Sequence, residues 1–296
     1  MNWDDLKVFL AVARFESLSG AGRELKVDPA TVGRRIARLE EELGAPLFGK
    51  SPQGYALTDA GQRLLTHAER AEQALAGAIE ELAGQPGELS GQIRIGAPDG
   101  CANYLLPQVC SKIMGDNPDL EIQVVALPRV LNLSKREADM AIGVSPPTAG
   151  RLTVQKITDY KLHLAGARKY LIQHPKIDEI EDLQGHRVIG YIPDLIFDKE
   201  LDYLSEVGIE KVDLASNSVA VQFNWVRQGA GIGIVHDFAI PSGRGIRKIL
   251  TDKISLTRSF YLIRHADDRR LERLNRFAAL LSEGLRAEVA RLEAMA

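Results

Sequence analysis

The chain has 296 residues and a mass of 32.5 kDa, room for roughly two or three domains. Hydrophobic residues at 45 % and charged residues at 26 % are ordinary globular values and exclude disordered, collagen-like and fibrous chains. With 37 Lys+Arg against 40 Asp+Glu, and 10 against 13 within residues 1–86, no region coats nucleic acid by bulk charge, so any such contact must come from a local cluster. Two cysteines cannot staple a fold of this size, which points to a reducing compartment. The start, Met1-Asn2-Trp3-Asp4-Asp5, lacks the basic and apolar run of a signal peptide. No stretch approaches the ~18 uninterrupted apolar residues of a membrane helix. The expected location is the cytoplasm, with no membrane partner.

Residues 1–58 read as short helices and tight turns. Leu6, Phe9, Leu10 and Ala13 recur at helical spacing. Ser17 and Ser19 are N-cap candidates for a second helix ending at Leu25. Asp28 caps a third helix, Pro29 takes its first position, and Gly44 stops it after Leu43. Pro46-Leu47-Phe48, the turn Ser51-Pro52-Gln53-Gly54 and Tyr55-Ala56-Leu57 form a small hairpin. Thr58 or Asp59 opens a long helix lasting to about Ala83, so residues 59–86 form a linker segment. Leu64, Ala68, Ala71, Leu75, Ala78 and Leu82 are spaced as a heptad seam, the pattern of a helix pairing with its own copy. A single amphipathic helix packed on its own domain fits the same spacing. Gly84-Gln85-Pro86-Gly87 then breaks the helix.

From Gln92 the texture becomes α/β. Strands are expected at Ile93–Ala97, Leu120–Leu127, Asp139–Val144 (after a short helix), Leu162–Ala167, Arg187–Tyr191, Val212–Ala215, Ile232–Val235 and Phe260–Arg264. Helices are expected at Tyr104–Met114, near Lys199–Val207, at Val219–Gln228 and over about Asp268–Leu292. This predicts mainly parallel sheets in two lobes around a cleft, residues 91–296 overall. Lobe I takes about 91–162 and 266–296, and lobe II about 163–265.

Residues 17–36 have helix-turn-helix spacing, with the motif over about 18–37. Ala21 and Gly22 are small enough for a close crossing, and Leu25, Val27, Val32 and Ile36 supply a miniature core. The second helix then exposes Pro29, Ala30, Thr31, Arg34, Arg35 and Arg38. Such a helix fits the DNA major groove with its first residues at base edges. Arg34 and Arg35 suit guanine edges or phosphates, and Arg38, one turn on, suits phosphate. Lys50, Ser51 and Gln53 at the hairpin tip form a candidate wing, and Ser17 and Ser19 complete the candidate contacts. A solvated basic face on an ordinary helical hairpin is the plainer alternative.

Four stretches carry a more specific signal: Leu6-Lys7-Val8-Phe9-Leu10-Ala11-Val12-Ala13, Ser17-Leu18-Ser19, Arg34 through Phe48 with its Glu40-Glu41-Glu42-Leu43-Gly44-Ala45-Pro46-Leu47-Phe48, and Gly54-Tyr55-Ala56-Leu57-Thr58-Asp59-Ala60-Gly61. Over residues 3–65 the chain resembles the LysR-type transcriptional regulators. Ala138-Asp139-Met140-Ala141-Ile142 and Val226 through Ile234 resemble that family's effector domain. The resemblance implies a bacterial regulator with a winged helix-turn-helix, a long dimerisation helix and a two-lobed, periplasmic-binding-protein-like effector domain. It further implies a homotetramer built as a dimer of dimers on a near-palindromic double-stranded operator, a small-molecule effector and contact with RNA polymerase. The family often has Ser-Gln where Asp28-Pro29 stand, Ser at Gly33, Arg at Lys50 and Arg at Gly143. A usual base-reading glutamine is thus missing, and Lys50 offers a point charge in place of a fork.

Ligands sit at the C-terminal ends of parallel strands, near helix N-termini. After Ala97-Pro98 that place is held by Asp99, Gly100, Cys101 and Ala102, which face the cleft in the family. Pro128 and Arg129 form the wall beside them. Ile196, within Tyr191–Phe197, and Asn217 with Ser218 face them from lobe II. Asp99 repels an anion unless Arg129 offsets it, so a cationic, neutral or polar effector is admitted; the same residues also read as simple loop caps. No cofactor is expected. Gly229-Ala230-Gly231-Ile232-Gly233 follows a helix and enters a strand, the reverse of a dinucleotide fingerprint. Cys101 and Cys110 read as separate reduced thiols. The six histidines lack metal-ligand spacing, and no nucleophile–base motif appears, so the expectation is not an enzyme. The large domain alone would also suit a ligand-binding or transport protein.

Overall fold

The computed structural model describes residues 2–51, 54–83, 89–126, 138–148, 150–209 and 211–296. The described chain divides into two units, one of the residues up to 83 together with Asp267–Arg273 and the other of residues 89–126, 138–266 and 274–296.

The N-terminal unit is built by its caps. Helix α1 spans Trp3–Phe15 and starts where the Asn2 side chain accepts the Asp4 N–H. Helix α2, Leu18–Leu25, is capped by Ser17, whose hydroxyl accepts the Gly20 N–H at 3.3 Å. Helix α3, Pro29–Leu43, is capped by Asp28 and ends at Gly44 with φ 67°. The αα turn is tight because Lys26 is left-handed and Val27 N–H donates to Gly22 O at 2.9 Å. A Cβ on Gly22 would stand 2.6 Å from Val27 O, so the small residue here serves the turn's backbone rather than a helix crossing. Leu6, Phe9, Leu10, Ala21, Val32, Ile36 and Leu39 form the core.

Strands β1 (Phe48–Ser51) and β2 (Gly54–Leu57) pair antiparallel as the wing. Two anchors hold it. The Glu40 carboxylate accepts the N–H groups of Leu47 (2.6 Å) and Phe48 (3.1 Å), and Tyr55 N–H donates to Glu16 O at 2.9 Å. Helix α4 runs Asp59–Ala83, and Thr58 Oγ1 accepts the Gly61 N–H at 3.0 Å at its start. Leu64 and Ala68 pack into the winged-helix core, and Glu72 pairs with Arg14 of α1. Ala71, Leu75 and Ala78 are exposed. The seam read from the sequence is therefore divided: its first turns serve the protomer's own core and the next stay open.

In the second unit a curled sheet runs β4-β3-β5-β11-β6-β9-β7-β8, with β10 also on β6. The strands are β3 Gly91–Ala97, β4 Leu120–Ala126, β5 Met140–Gly143, β6 Leu152–Ala167, β7 Val188–Gly190, β8 Leu214–Ala215, β9 Ile232–His236, β10 Ile246–Lys248 and β11 Ser255–His265. Helices are α5 Asp99–Tyr104, α6 Leu106–Gly115, α7 Arg168–Gln173, α8 Tyr203–Glu206, α9 Val219–Gln228 and α10 Glu272–Glu293. The expectation of mainly parallel strands needs correction. β3 pairs parallel with β4 and β5, and β7 with β8 and β9, but β6 and β11 pair antiparallel from Leu152↔His265 to His163↔Ser255. These two long strands run through both lobes, so the sequence boundary at 162/163 falls inside β6. Its first half, Leu152–Lys161, alternates with many polar residues on an exposed face, which hid it.

The helix expected at Tyr104–Met114 is two helices, broken at Leu105 (φ −117°, ψ −51°) with Pro107 in the first turn of the second. The short helix expected before Asp139 lies outside the described residues. α10 buries Leu274, Phe277, Leu281, Leu285 and Val289, and a Cβ on Gly284 would meet Val109 Cγ1 of α6 at 2.6 Å. Among the described residues, no helix is long and apolar enough to cross a membrane, and no group of three or more His, Cys, Asp or Glu side chains is placed to hold a metal ion.

Two glycine substitutions test this packing in opposite directions. Gly22→Ala drives a methyl into the Val27 carbonyl and is expected to cost about 1–3 kcal/mol of unfolding free energy. Gly33→Ala meets only Leu18 Cδ1 at 3.4 Å, so relief of the mid-helix glycine is expected to add about 0.5–1 kcal/mol. Denaturant unfolding of the two variants reads both.

Candidate DNA interface and effector site

At the start of α3 three side chains form a chain. Asp28 Oδ1 accepts the Thr31 N–H at 2.9 Å and Oδ2 accepts the Thr31 hydroxyl at 2.5 Å. Thr31 Oγ1 accepts from Arg34 Nη2 at 2.9 Å. The Thr31 hydroxyl, its backbone N–H and then the Arg34 charge hold the Asp28 carboxyl below its ordinary range. The carboxylate at this helix start is thus ionised, and its charge is offset from one turn away. Arg34 commits one donor to Thr31 and keeps the rest of its fork. Pro29, Ala30, Arg34 and Ser19 are exposed, while Ser17, Thr31 and Arg35 are half-buried.

Arg38 is engaged differently. Its Nε donates to Asp5 Oδ2 at 2.9 Å and its Nη2 pairs with Asp5 Oδ1. Asp5 is 1 % exposed, so Arg38 neutralises a buried carboxylate of α1, and that partner raises the guanidinium pKa. Gln53 lies outside the described residues, as do the side chains of Lys50 and Ser51.

In the second unit, Asp99, the first residue of α5, reaches across to lobe II. Its Oδ2 accepts the Ser218 hydroxyl and the Ala220 N–H, each at 2.9 Å, while Oδ1 and the main-chain oxygen accept from Asn103 Nδ2 at 3.0 and 2.8 Å. Ser218 also caps α9, accepting the Val221 N–H at 3.3 Å. The Ser218 hydroxyl and the Ala220 N–H thus offset the Asp99 charge at the start of α9. Pro128 and Arg129 lie outside the described residues.

Gly100 and Cys101 are buried, and a Cβ on Gly100 would touch His236 and Val219 at 3.5 Å. Tyr104 meets Phe223 edge-on, ring centroids 5.4 Å apart. The loop expected to face the cleft lies against α9 and β9, in a contact that would admit a Cβ at Gly100 at ordinary van der Waals distance. Ala102, Asn217 and Ser218 are half-buried at the edge of this contact. Ile196 stands elsewhere, in a cavity of about 320 Å³ within lobe II that Tyr191, Tyr203 and Gln222 also line. Sequence reading missed the last two, which are separated along the chain and carry no motif.

The comparisons match both units. Residues 3–62 match the bacterial regulatory helix-turn-helix protein, lysR family, and residues 86–286 the LysR substrate binding domain. The chain belongs to the LysR family. It is similar to the HTH-type transcriptional regulator PtxR of Pseudomonas aeruginosa, 25 % identical over 245 residues covering 81 % of this chain and 78 % of the relative. It is also similar to the HTH-type transcriptional activator TtdR of Escherichia coli, 27 % identical over 242 residues, 77 % and 75 % of the two chains. Among solved structures, a full-length point variant of OxyR from Pseudomonas aeruginosa shares the fold with a TM-score of 0.68 at 17 % identity, over 97 % of this chain and 98 % of that one. This LysR-type transcriptional regulator thus couples a helix-turn-helix DNA-binding domain to an effector-binding domain, and its curated relatives are named as regulators.

Where this LysR-type regulator departs from the family pattern, the structure gives reasons. A Cβ on Gly143 would stand 2.7 Å from Ile263 Cδ1, so an arginine there requires that side chain to move. Gly231 and Gly233 sit where a Cβ would meet the carbonyls of Arg187 (2.4 Å) and Ile189 (2.9 Å), which makes the glycine run a strand-packing device. Both cysteines are free and buried, and burial pushes the Cys101 thiol well up and the Cys110 thiol to about 11, leaving neither reactive.

His236 is buried beneath the lobe contact, between Tyr160 and Phe238 at centroid distances of 5.5 and 4.9 Å. Burial depresses its pKa from 6.5 to about 3. Below pH 6.5 the unfolded chain takes up a proton that the folded chain refuses, so stability falls with pH down to about 3. A His236→Phe variant lacks this slope. Between pH 6.5 and about 5 the wild type is expected to lose about 1–2 kcal/mol more than the variant, as read by urea unfolding.

Proposed function

We propose that the chain is a sequence-specific transcriptional regulator and not an enzyme. It binds a near-palindromic operator as a dimer of dimers, responds to a small molecule held by its second unit, and acts on transcription by contact with RNA polymerase in the cytoplasm. The observation that carries this reading is the start of α3. An exposed first turn, with the Asp28 carboxylate tied down by Thr31, presents Arg34 as an oriented fork. Pro29, Ala30, Thr31 and Arg34 meet base edges, and Arg35 and the exposed side of Arg38 meet phosphates. Ser17 and Ser19 contact the backbone, as do Lys50, Ser51 and Gln53 of the wing.

The second copy pairs through α4. Leu75 is 43 % exposed in a single protomer, and Ala71 and Ala78 flank it at heptad spacing. Within the effector domain, Asp99 with Ser218 acts as a latch between the lobes, with Gly100, Cys101 and Ala102 as its packed base. Binding that alters this latch changes DNA affinity only through a difference in affinity for the two lobe arrangements.

Arg34→Ala is expected to cost about 1–3 kcal/mol on operator DNA and to relax specificity at one base position. The operator is first found by genome-wide mapping, and a binding titration on it reads the loss. An unchanged affinity contradicts the assignment. Leu75→Glu places a charge on the open seam without entering the winged-helix core. Sedimentation is expected to show a shift toward monomer at micromolar concentration with the protomer's unfolding curve intact.

A further inference from the structure

The cavity within lobe II has features of a ligand site that the latch does not explain. It measures about 320 Å³, at the lower end of small-molecule pockets. Ile189, Ile196, Leu201, Leu204, Ile209 and Ile234 make its walls apolar. Among the described residues that line it, Asp202 alone carries a charge, and no Lys or Arg does. A bound carboxylate or phosphate would meet that acid with nothing to offset it.

Two polar groups are held inside. Tyr191 is 8 % exposed, and its hydroxyl has no hydrogen-bond partner among the described residues. Burial, then the nearby Tyr203 and Asp99, push its pKa well above the ordinary phenol range, so the hydroxyl stays a neutral donor. Gln222 is 6 % exposed, and its Nε2 donates to Ser216 O at 2.7 Å, which leaves Oε1 as an acceptor.

The wall carrying Tyr203 is fixed in advance. Arg258 of β11 lies 5.7 Å from the Tyr203 ring centroid, donates from Nε to Glu200 O at 2.9 Å and pairs with Glu206. Arg258 is thereby committed and is not a partner for an anion. The cavity is a prebuilt, mainly apolar slot that offers Tyr191 as a donor and Gln222 Oε1 as an acceptor, with Asp202 at a negative edge.

We propose that this slot binds an uncharged aromatic molecule of one or two rings bearing a single hydroxyl group, which donates to Gln222 and accepts from Tyr191. The proposal deepens the reading of the second unit as the effector sensor. It places the ligand inside lobe II, apart from the Asp99–Ser218 contact.

Calorimetric titration of the full-length chain with 2-naphthol and with 2-naphthoate tests it. 2-Naphthol is expected to bind once per chain, with 2-naphthoate at least about tenfold weaker. Ser205→Trp, at an exposed position on the cavity lining, is expected to abolish binding, with an unfolding curve recorded to show the fold intact. Tyr191→Phe is expected to weaken binding by about three- to tenfold, the worth of one neutral hydrogen bond. Equal or tighter binding of the naphthoate, survival of binding in folded Ser205→Trp, unchanged affinity in Tyr191→Phe, or no binding of 2-naphthol up to millimolar concentration each overturns the proposal. Operator binding by the same preparations is scored separately, so failure of the DNA reading is distinguishable from failure of the ligand site.

Discussion

The sensing unit depends on the Asp99 carboxylate, which lies at the start of α5 in one lobe and accepts hydrogen bonds from Ser218 and Ala220 at the start of α9 in the other. A charged acceptor meeting donors at a helix N-terminus is among the stronger polar contacts a half-buried site offers. It answers the N–H groups that an incoming anion would seek. Gly100 is buried beside it, next to His236 and Val219. Asp99 ties the two lobes at this point, and the proposed ligand slot lies to one side, among Tyr191, Tyr203 and Gln222.

The DNA-binding unit depends on contacts of shorter reach. Helices α1 to α3 are short, the core is small, and each of the three starts at a side-chain cap and ends at a left-handed residue. The exceptions bind the elements to one another: Arg38 to the buried Asp5, Arg14 to Glu72, and Glu40 to the first N–H groups of the wing. Arg38 illustrates a double demand on one residue, since its position on α3 faces outward while its guanidinium satisfies an acid of α1. Replacing it would disturb the fold as well as any phosphate contact.

Local rules account for what was legible beforehand. Ser17, Asp28, Gly44, Thr58, Ser218 and Gly229 end or begin helices by contacts within three or four residues, so α2, α3, α4 and α9 could be read to within a residue or two. The strand register, the Asp99 contact with Ser218 119 residues away, and Arg258 against Tyr203 arise from chain segments that meet only in the folded state. The break at Leu105 escaped notice because the apolar spacing continues through it. The first half of β6 escaped because a strand open to solvent carries no hydrophobic signature. Of the effector candidates, Asp99 and Ser218 were found and do meet, but as partners of each other. The cavity was out of reach, since of its described lining only Tyr191, Pro193 and Ile196 lay in the effector stretch singled out in advance.

The most direct test of this account is amide hydrogen exchange at Ala220 in the ligand-free full-length chain. If the Asp99 carboxylate holds the start of α9, the Ala220 N–H is protected in the wild type and loses that protection in Asp99→Ala, while the interior of α9 exchanges as before. An Ala220 amide that exchanges freely in the wild type, or equally slowly in both chains, would contradict it.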